Sequence, residues 1–238
     1  MRTRSPFRET DLDDLDVFLD QAYAVVPMRE VHAGTTDPRV IGMRHDVDNF
    51  IEPAVAMAAW EAGRGYRSTY YILHTAPYWD DKLLLRRSLD LIAGWGHEIG
   101  IHNNALAEYR RTGLDPRTSL AQACSELRGY GYRVSGTVAH GDSDCYDEQG
   151  DILFVNDQLF TECVRDYELI CDPVPLAAFG LDYDANWLQR AAYLSDSGGR
   201  WSHDFDEYTG GFPYDGQLHM LVHPDWWAEA FPSVEVVA

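Results

Sequence analysis

Short apolar runs alternate with amphipathic segments along most of the chain. Seven runs have the length and composition of strands: residues 40–44, 68–73, 98–101, 134–139, 169–171, 192–195 and 219–222. The segments around them have helical spacing. The opening one carries Asp11, Asp13 and Asp14 at its start, where carboxylates complement the helix dipole, and places Leu12, Leu15, Leu19 and Ala22 on one stripe. Pro53 begins a second helix over 54–62 and Gly63 closes it, with proline just inside the start and glycine just past the end. A leucine-rich helix is expected over 82–95. Asp115 and Pro116 read as the N-cap and first position of another, carrying Leu120, Ala123, Cys124 and Leu127. Strands alternating with helices predict an α/β fold built on a parallel sheet. No repeat and no Gly/Ser-rich linker divides residues 1–238, so a single domain is expected. Periodicity alone does not separate a seven-unit barrel from an open doubly wound sheet.

Composition and charge narrow the function. Hydrophobic residues make up 45% and charged residues 24%, the proportions of a globular protein with a sizeable core. Lys plus Arg is 19 and Asp plus Glu is 39, giving a net charge of −20, a field that repels nucleic-acid backbones and anionic lipid. Neither nucleic acid nor a membrane is expected as a partner. The polar first ten residues lead straight into an acidic segment, with no basic head and apolar run of an export signal, and no stretch approaches about eighteen apolar residues. A cytoplasmic location is the expectation. Cys124, Cys145, Cys163 and Cys171 form no CxxC pair and read as reduced, mostly buried thiols.

In parallel α/β folds, functional groups collect just beyond the C-terminal ends of strands. The runs are followed in turn by Arg44-His45-Asp46-Val47-Asp48, His74, His102-Asn103-Asn104, His140-Gly141-Asp142, Asp172, Asp196 and His223. Singly, each could cap a helix or hold a turn. Together they offer what a hydrolytic metal site needs: carboxylate and imidazole ligands, with a separate base and acid.

Three blocks resemble the polysaccharide deacetylase family, the NodB homology fold, in an HDVD variant: residues 43–48 (MRHDVD), 96–102 (GHEIGIH) and 221–224 (LVHP). The resemblance implies a distorted (β/α)7 barrel. It also implies metal-dependent removal of an acyl group, acetyl foremost, from an amide or ester of a sugar, with related members acting on formyl groups or cyclic amides. Position by position, it implies Asp46 as general base, Asp48 as metal ligand, His102 as the leading metal histidine and His223 as general acid. Val47 separates the two aspartates where the usual motif has them adjacent, so their roles could be exchanged, or His45 could take part. His97 belongs to the second block without being a ligand.

The chain departs from the family after His102. A second histidine is usual four residues on, and here that position is Leu106. Either the third ligand has moved, with His140 the best candidate and His74 the next, or the site has decayed. The expected ion is zinc, with manganese, cobalt and nickel compatible. Asn103 and Asn104 are expected to hydrogen-bond a substrate. Asp196 and Arg200, in a loop with paired glycines, are expected beside it, and Trp201, Trp226 and Trp227 suit the apolar face of a sugar ring. The segment 142–151 reads as a solvated acidic loop. The expected substrate is a small acylated amino sugar or related metabolite. A non-sugar amide hydrolase and a silent carbohydrate- or partner-binding protein are the alternatives.

Overall fold

A computed structural model describes residues 6–35, 37–161, 172–202 and 217–231. In chain order the elements are α1 (Glu9–Leu19), β1 (Ala24–Pro27), α2 (Met28–His32), β2 (Val40–Val47), α3 (Glu52–Gly63), β3 (Thr69–Leu73), α4 (Lys82–Gly94), β4 (Glu98–Asn103), α5 (Ala105–Thr112), α6 (Pro116–Gly129), β5 (Gly136–Ala139), α7 (Gln158–Thr161), β6 (Tyr183–Asp184), β7 (Ala192–Ser195) and β8 (Leu218–Val222). The architecture is α/β. The sheet order is β6-β5-β4-β3-β2-β8-β7, with β1 on β2. The ladders β1–β2, β2–β8, β7–β8, β4–β5 and β5–β6 are all parallel.

Six of the seven expected runs are strands, and 169–171 lies outside the described residues. Two further strands change the count. Ala24–Pro27 is a half-buried run before α2, and Tyr183–Asp184 is only two residues long, too short for an alternation to register. The described sheet therefore has eight strands rather than seven. By its internal contacts the chain divides into two units, whose described residues fall within 1–70, 76–99 and 188–238 for the first, and 71–75 and 100–187 for the second.

In the first unit, Ile41, Met43, Leu194, Leu218, Met220 and Val222 form one core layer with Leu12, Leu15 and Phe18 of α1 and Met57 of α3. Side chains alternate across a strand, so Gly42, Arg44 and Asp46 face the opposite side of β2 from this layer. Each large apolar side chain buried this way contributes roughly 1.5–3 kcal/mol against its exposed state. Pro53 stands in the first turn of α3, as expected. Asp81 caps α4 by accepting from Leu84 N–H (3.0 Å), which the sequence reading did not anticipate.

In the second unit, Asp115 caps α6 through Thr118 N–H (2.9 Å), and Leu120, Ala123, Cys124 and Leu127 are buried as expected. Glycines admit two tyrosine rings. A Cβ at Gly100 would stand 2.4 Å from the Tyr71 ring and one at Gly136 2.3 Å from Tyr183, while the Tyr71 hydroxyl donates to that of Tyr183 (3.3 Å). Cys124 and Cys145 are buried free thiols, pushed up by burial to about 11 and about 12. Cys163 and Cys171 lie outside the described residues. No helix among the described residues is long and apolar enough to cross a membrane.

Candidate metal centre and acid-base groups

In the first unit, β2 delivers Arg44 and Asp46 from one face, both buried. The Arg44 Nε lies 3.7 Å from Asp46 Oδ1, and its Nη2 donates to the Tyr193 hydroxyl (3.3 Å). The strand ends at Val47, whose carbonyl accepts from the Tyr78 hydroxyl (2.6 Å). Just beyond Asp48, Asp225 accepts from Asn49 N–H (2.9 Å), Asn49 Nδ2 (2.7 Å) and Phe50 N–H (3.2 Å). The turn that carries Asp48 is thereby tied to the chain after β8.

His45 points the other way and takes no part in this cluster. Its ring lies against α3, with Nε2 2.8 Å from Glu61 Oε1. His97 is likewise buried, its Nε2 3.0 Å from the Ala58 carbonyl. His45 and His97 both belong to the layer behind the strand.

Past β8, His223 Nδ1 lies 2.6 Å from Asp196 Oδ1, and the His223 backbone N–H reaches both carboxylate oxygens at 3.0 Å. Trp227 Nε1 donates to Asp196 Oδ2 (2.9 Å). Burial works against a charged His223 ring. The hydrogen bond and charge of Asp196, with Asp46 and Asp48 adding to it, outweigh that penalty and raise the group to about 9. The ring holds its proton at neutral pH, with Nδ1–H given to Asp196 and Nε2–H left to donate elsewhere.

In the second unit, His102 leaves the end of β4 with Nδ1 3.0 Å from the Val138 carbonyl. That nitrogen must donate, so Nε2 keeps its lone pair, the arrangement of a metal-ligating histidine fixed by an outer partner. His140 follows β5, its Nδ1 3.1 Å from His102 Nε2. The two imidazoles stand close enough to share one metal ion.

His74 is not in that pair. Its Nε2 accepts from Asn104 N–H (3.0 Å), and burial, with His102, His140 and Arg111 nearby, holds the ring far below the usual range, at about 3.

The side chains expected to meet substrate are differently employed. Asn103 donates through Nδ2 to the Asn156 carbonyl (2.9 Å) and accepts from Ala105 N–H (3.1 Å), so it ties down the start of α5. Asn104 Nδ2 donates to Thr75 Oγ1 (2.8 Å) and Asp142 Oδ2 (2.6 Å). Asp196 is 0% exposed and orients His223, and Trp227, also 0% exposed, stacks on Phe7 at 4.2 Å. Trp201 is half-buried against Phe7 and Trp227 (6.0 and 5.9 Å). Trp226 is half-buried too, while Arg200 stands exposed in its turn. Four of these residues, Asn103, Asn104, Asp196 and Trp227, are thus buried and hydrogen-bonded within the protein.

Nor is 142–151 only a solvated loop. Asp142 caps the short turn Ser143–Cys145 by accepting from Asp144 N–H (2.9 Å), and Arg111 pairs with Asp144 (2.8 Å). Burial would raise the Asp142 carboxyl, but Asp144 N–H, Asn104 and Arg111 lower it.

Sequence reasoning missed Asn156, which bonds around His140, and Asp225. No motif marks either one, although Asp225 stands two residues after His223. No family model matches the chain, and no curated protein matches it.

Proposed function

We propose that this chain is a metal-dependent hydrolase that cleaves an acyl amide or ester of a small molecule, an acetylated amino sugar foremost. The observation that carries this reading is the pairing of the His102 and His140 rings at the ends of β4 and β5, their nitrogens 3.1 Å apart, with Asp48 as the proposed third ligand. The donor set fits a divalent ion: one carboxylate and two imidazoles, with His102 already held in the ligating tautomer by Val138. Zinc suits it best, and manganese, cobalt and nickel accept the same donors. When bound, such an ion supplies Lewis-acid polarisation of the substrate carbonyl and of a water molecule. The motif resemblance supports the same reading and brings with it a distorted (β/α)7 barrel as the proposed complete fold.

The remaining steps belong to the side chains. Asp46, paired with Arg44, accepts the proton that the attacking water gives up. His223, kept protonated by Asp196, donates Nε2–H to the leaving nitrogen or oxygen as the acyl bond breaks. The proton then passes back from Asp46 to solvent and His223 is reprotonated, closing the cycle.

The test is metal-free protein reloaded with zinc and offered a panel of N-acetylated amino sugars, with acetate release as the readout. Chelation should abolish release and zinc restore it. Full activity in protein shown by elemental analysis to hold no metal would overturn the reading.

A further inference from the structure

Behind the catalytic face of β2 lies a polar cluster with almost no access to water: His45, Glu61, Ser68, Tyr70 and His97 are each at most 4% exposed. Glu61 accepts from His45 Nε2 (2.8 Å), the Ser68 hydroxyl (2.6 Å) and the Tyr70 hydroxyl (2.8 Å). Burial opposes the Glu61 charge, but the charge and hydrogen bond of His45 outweigh it and bring the carboxyl to about 2. His97 Nδ1 accepts from Ser68 N–H (3.2 Å) and its Nε2 donates to the Ala58 carbonyl (3.0 Å), which fixes His97 as a neutral ring.

His45 is different. Its Nε2 meets the Glu61 carboxylate and its Nδ1 lies 3.2 Å from the Val222 carbonyl, so each ring nitrogen faces an acceptor. The ring is stacked on Tyr70 at 4.4 Å. Val222 is also the residue opposite His45 in the β2–β8 ladder. The ring therefore bridges two strands one residue before each delivers its reactive group, Asp46 on β2 and His223 after β8.

We infer that His45, charged by Glu61, is a positioning residue that fixes the base Asp46 relative to the acid His223. The inference rests on the acid-base reading above and adds a residue that touches neither substrate nor metal. A buried ion pair gives little net stability compared with an apolar pair of similar volume. What it does supply is geometry. A neutral His45 has one ring proton, so it must give up either Glu61 or Val222, and the side-chain bridge that adds to the backbone ladder is lost.

The test uses the zinc-loaded full chain with 4-nitrophenyl acetate as probe, and Asp46→Asn and His223→Ala alongside. In Glu61→Gln, which keeps the shape but cannot hold the second ring proton, kcat should fall by about tenfold or more. KM and zinc affinity should stay unchanged, with all assays run well below the variant's unfolding midpoint. Nitrogen-15 spectra of the wild-type protein, which depend neither on catalysis nor on a variant's folding, should show two protonated ring nitrogens on His45. A bare nitrogen overturns the inference. So does a Glu61→Gln protein with a lowered midpoint and undiminished kcat, provided that Asp46→Asn and His223→Ala are inactive. Undiminished turnover in those two variants instead overturns the acid-base reading, and the positioning role with it.

Discussion

Asp196 grips His223 at two points, at ring Nδ1 (2.6 Å) and at the backbone N–H (3.0 Å to each oxygen), and is itself held by Trp227 Nε1. The carboxylate can neither rotate away nor be solvated, so its charge is spent on the imidazolium.

A pH signature follows. The folded His223 titrates at about 9, above its ordinary 6.5. Its stabilising contribution is therefore fully present below about pH 6.5 and is lost as pH rises through about 9. Melting temperatures of metal-free protein between about pH 6 and 10 should fall across that window, and the fall should be much smaller in Asp196→Asn. Equal slopes in the two proteins would show that the pair does not carry the charge assigned to it.

Asp46→Asn should bind zinc as the wild type does and lose roughly 10²–10⁴-fold in turnover, since an amide of the same shape accepts no proton from water. Elemental analysis and acetate release separate the two effects. Loss of zinc in this variant, with zinc kept in Asp48→Asn, would mean that the two aspartates have exchanged roles.

The two histidines nearest His102 should behave differently. His140→Ala removes a ligand atom, and calorimetric titration of the metal-free protein should show zinc affinity falling by more than the roughly 10–100-fold typical of outer partners. His74→Ala leaves the ligand atoms in place, because His74 Nε2 is engaged by Asn104 N–H, and its zinc affinity should stay within that range. Equal losses in both would remove His140 from the site.

Much of this was legible before any coordinates. Strand runs and helix caps come from local chemistry: Pro53, Asp115 and the leucine stripe of α1 act within one or two turns, so a linear reading finds them. The motif resemblance implied Asp48 and His102 as ligands, and the end of the fourth strand run added His140. The sequence reading did not reach the bonds that the expected substrate groups make inside the protein. Asn103, Asn104, Asp196 and Trp227 carry the polar or aromatic groups that a substrate would want, and only their burial shows that protein atoms already use them. Glu61 was invisible for a related reason: it lies on α3 among alanines, and its partners come from β2 and β3.

Asn156 is the support most exposed to test, because one side chain satisfies groups in three places. It is 0% exposed, and its Oδ1 accepts from Leu106 N–H (2.9 Å) and Ala107 N–H (3.2 Å). Those are orphan donors of the first turn of α5, whose own N-cap residue, Asn104, makes no side-chain cap bond. Its Nδ2 donates to Asn104 Oδ1 (3.0 Å) and to the His140 carbonyl (2.9 Å), so the same amide fixes the backbone of a proposed ligand. Asn156→Ala strands buried donors and acceptors together, at a cost of about 1–3 kcal/mol for each group left unpaired. Asn156→Asp keeps the acceptor for the helix, where a negative charge is favourable, and loses the Nδ2 donations, a long one to Cys145 Sγ (3.5 Å) among them. Urea unfolding should therefore rank wild type above Asn156→Asp above Asn156→Ala. Zinc affinity should fall in both variants, since neither can hold the His140 carbonyl. If the aspartate variant is as unstable as the alanine one, capping of α5 is not what this residue contributes. If zinc binds both as tightly as wild type, His140 does not depend on Asn156 for its place.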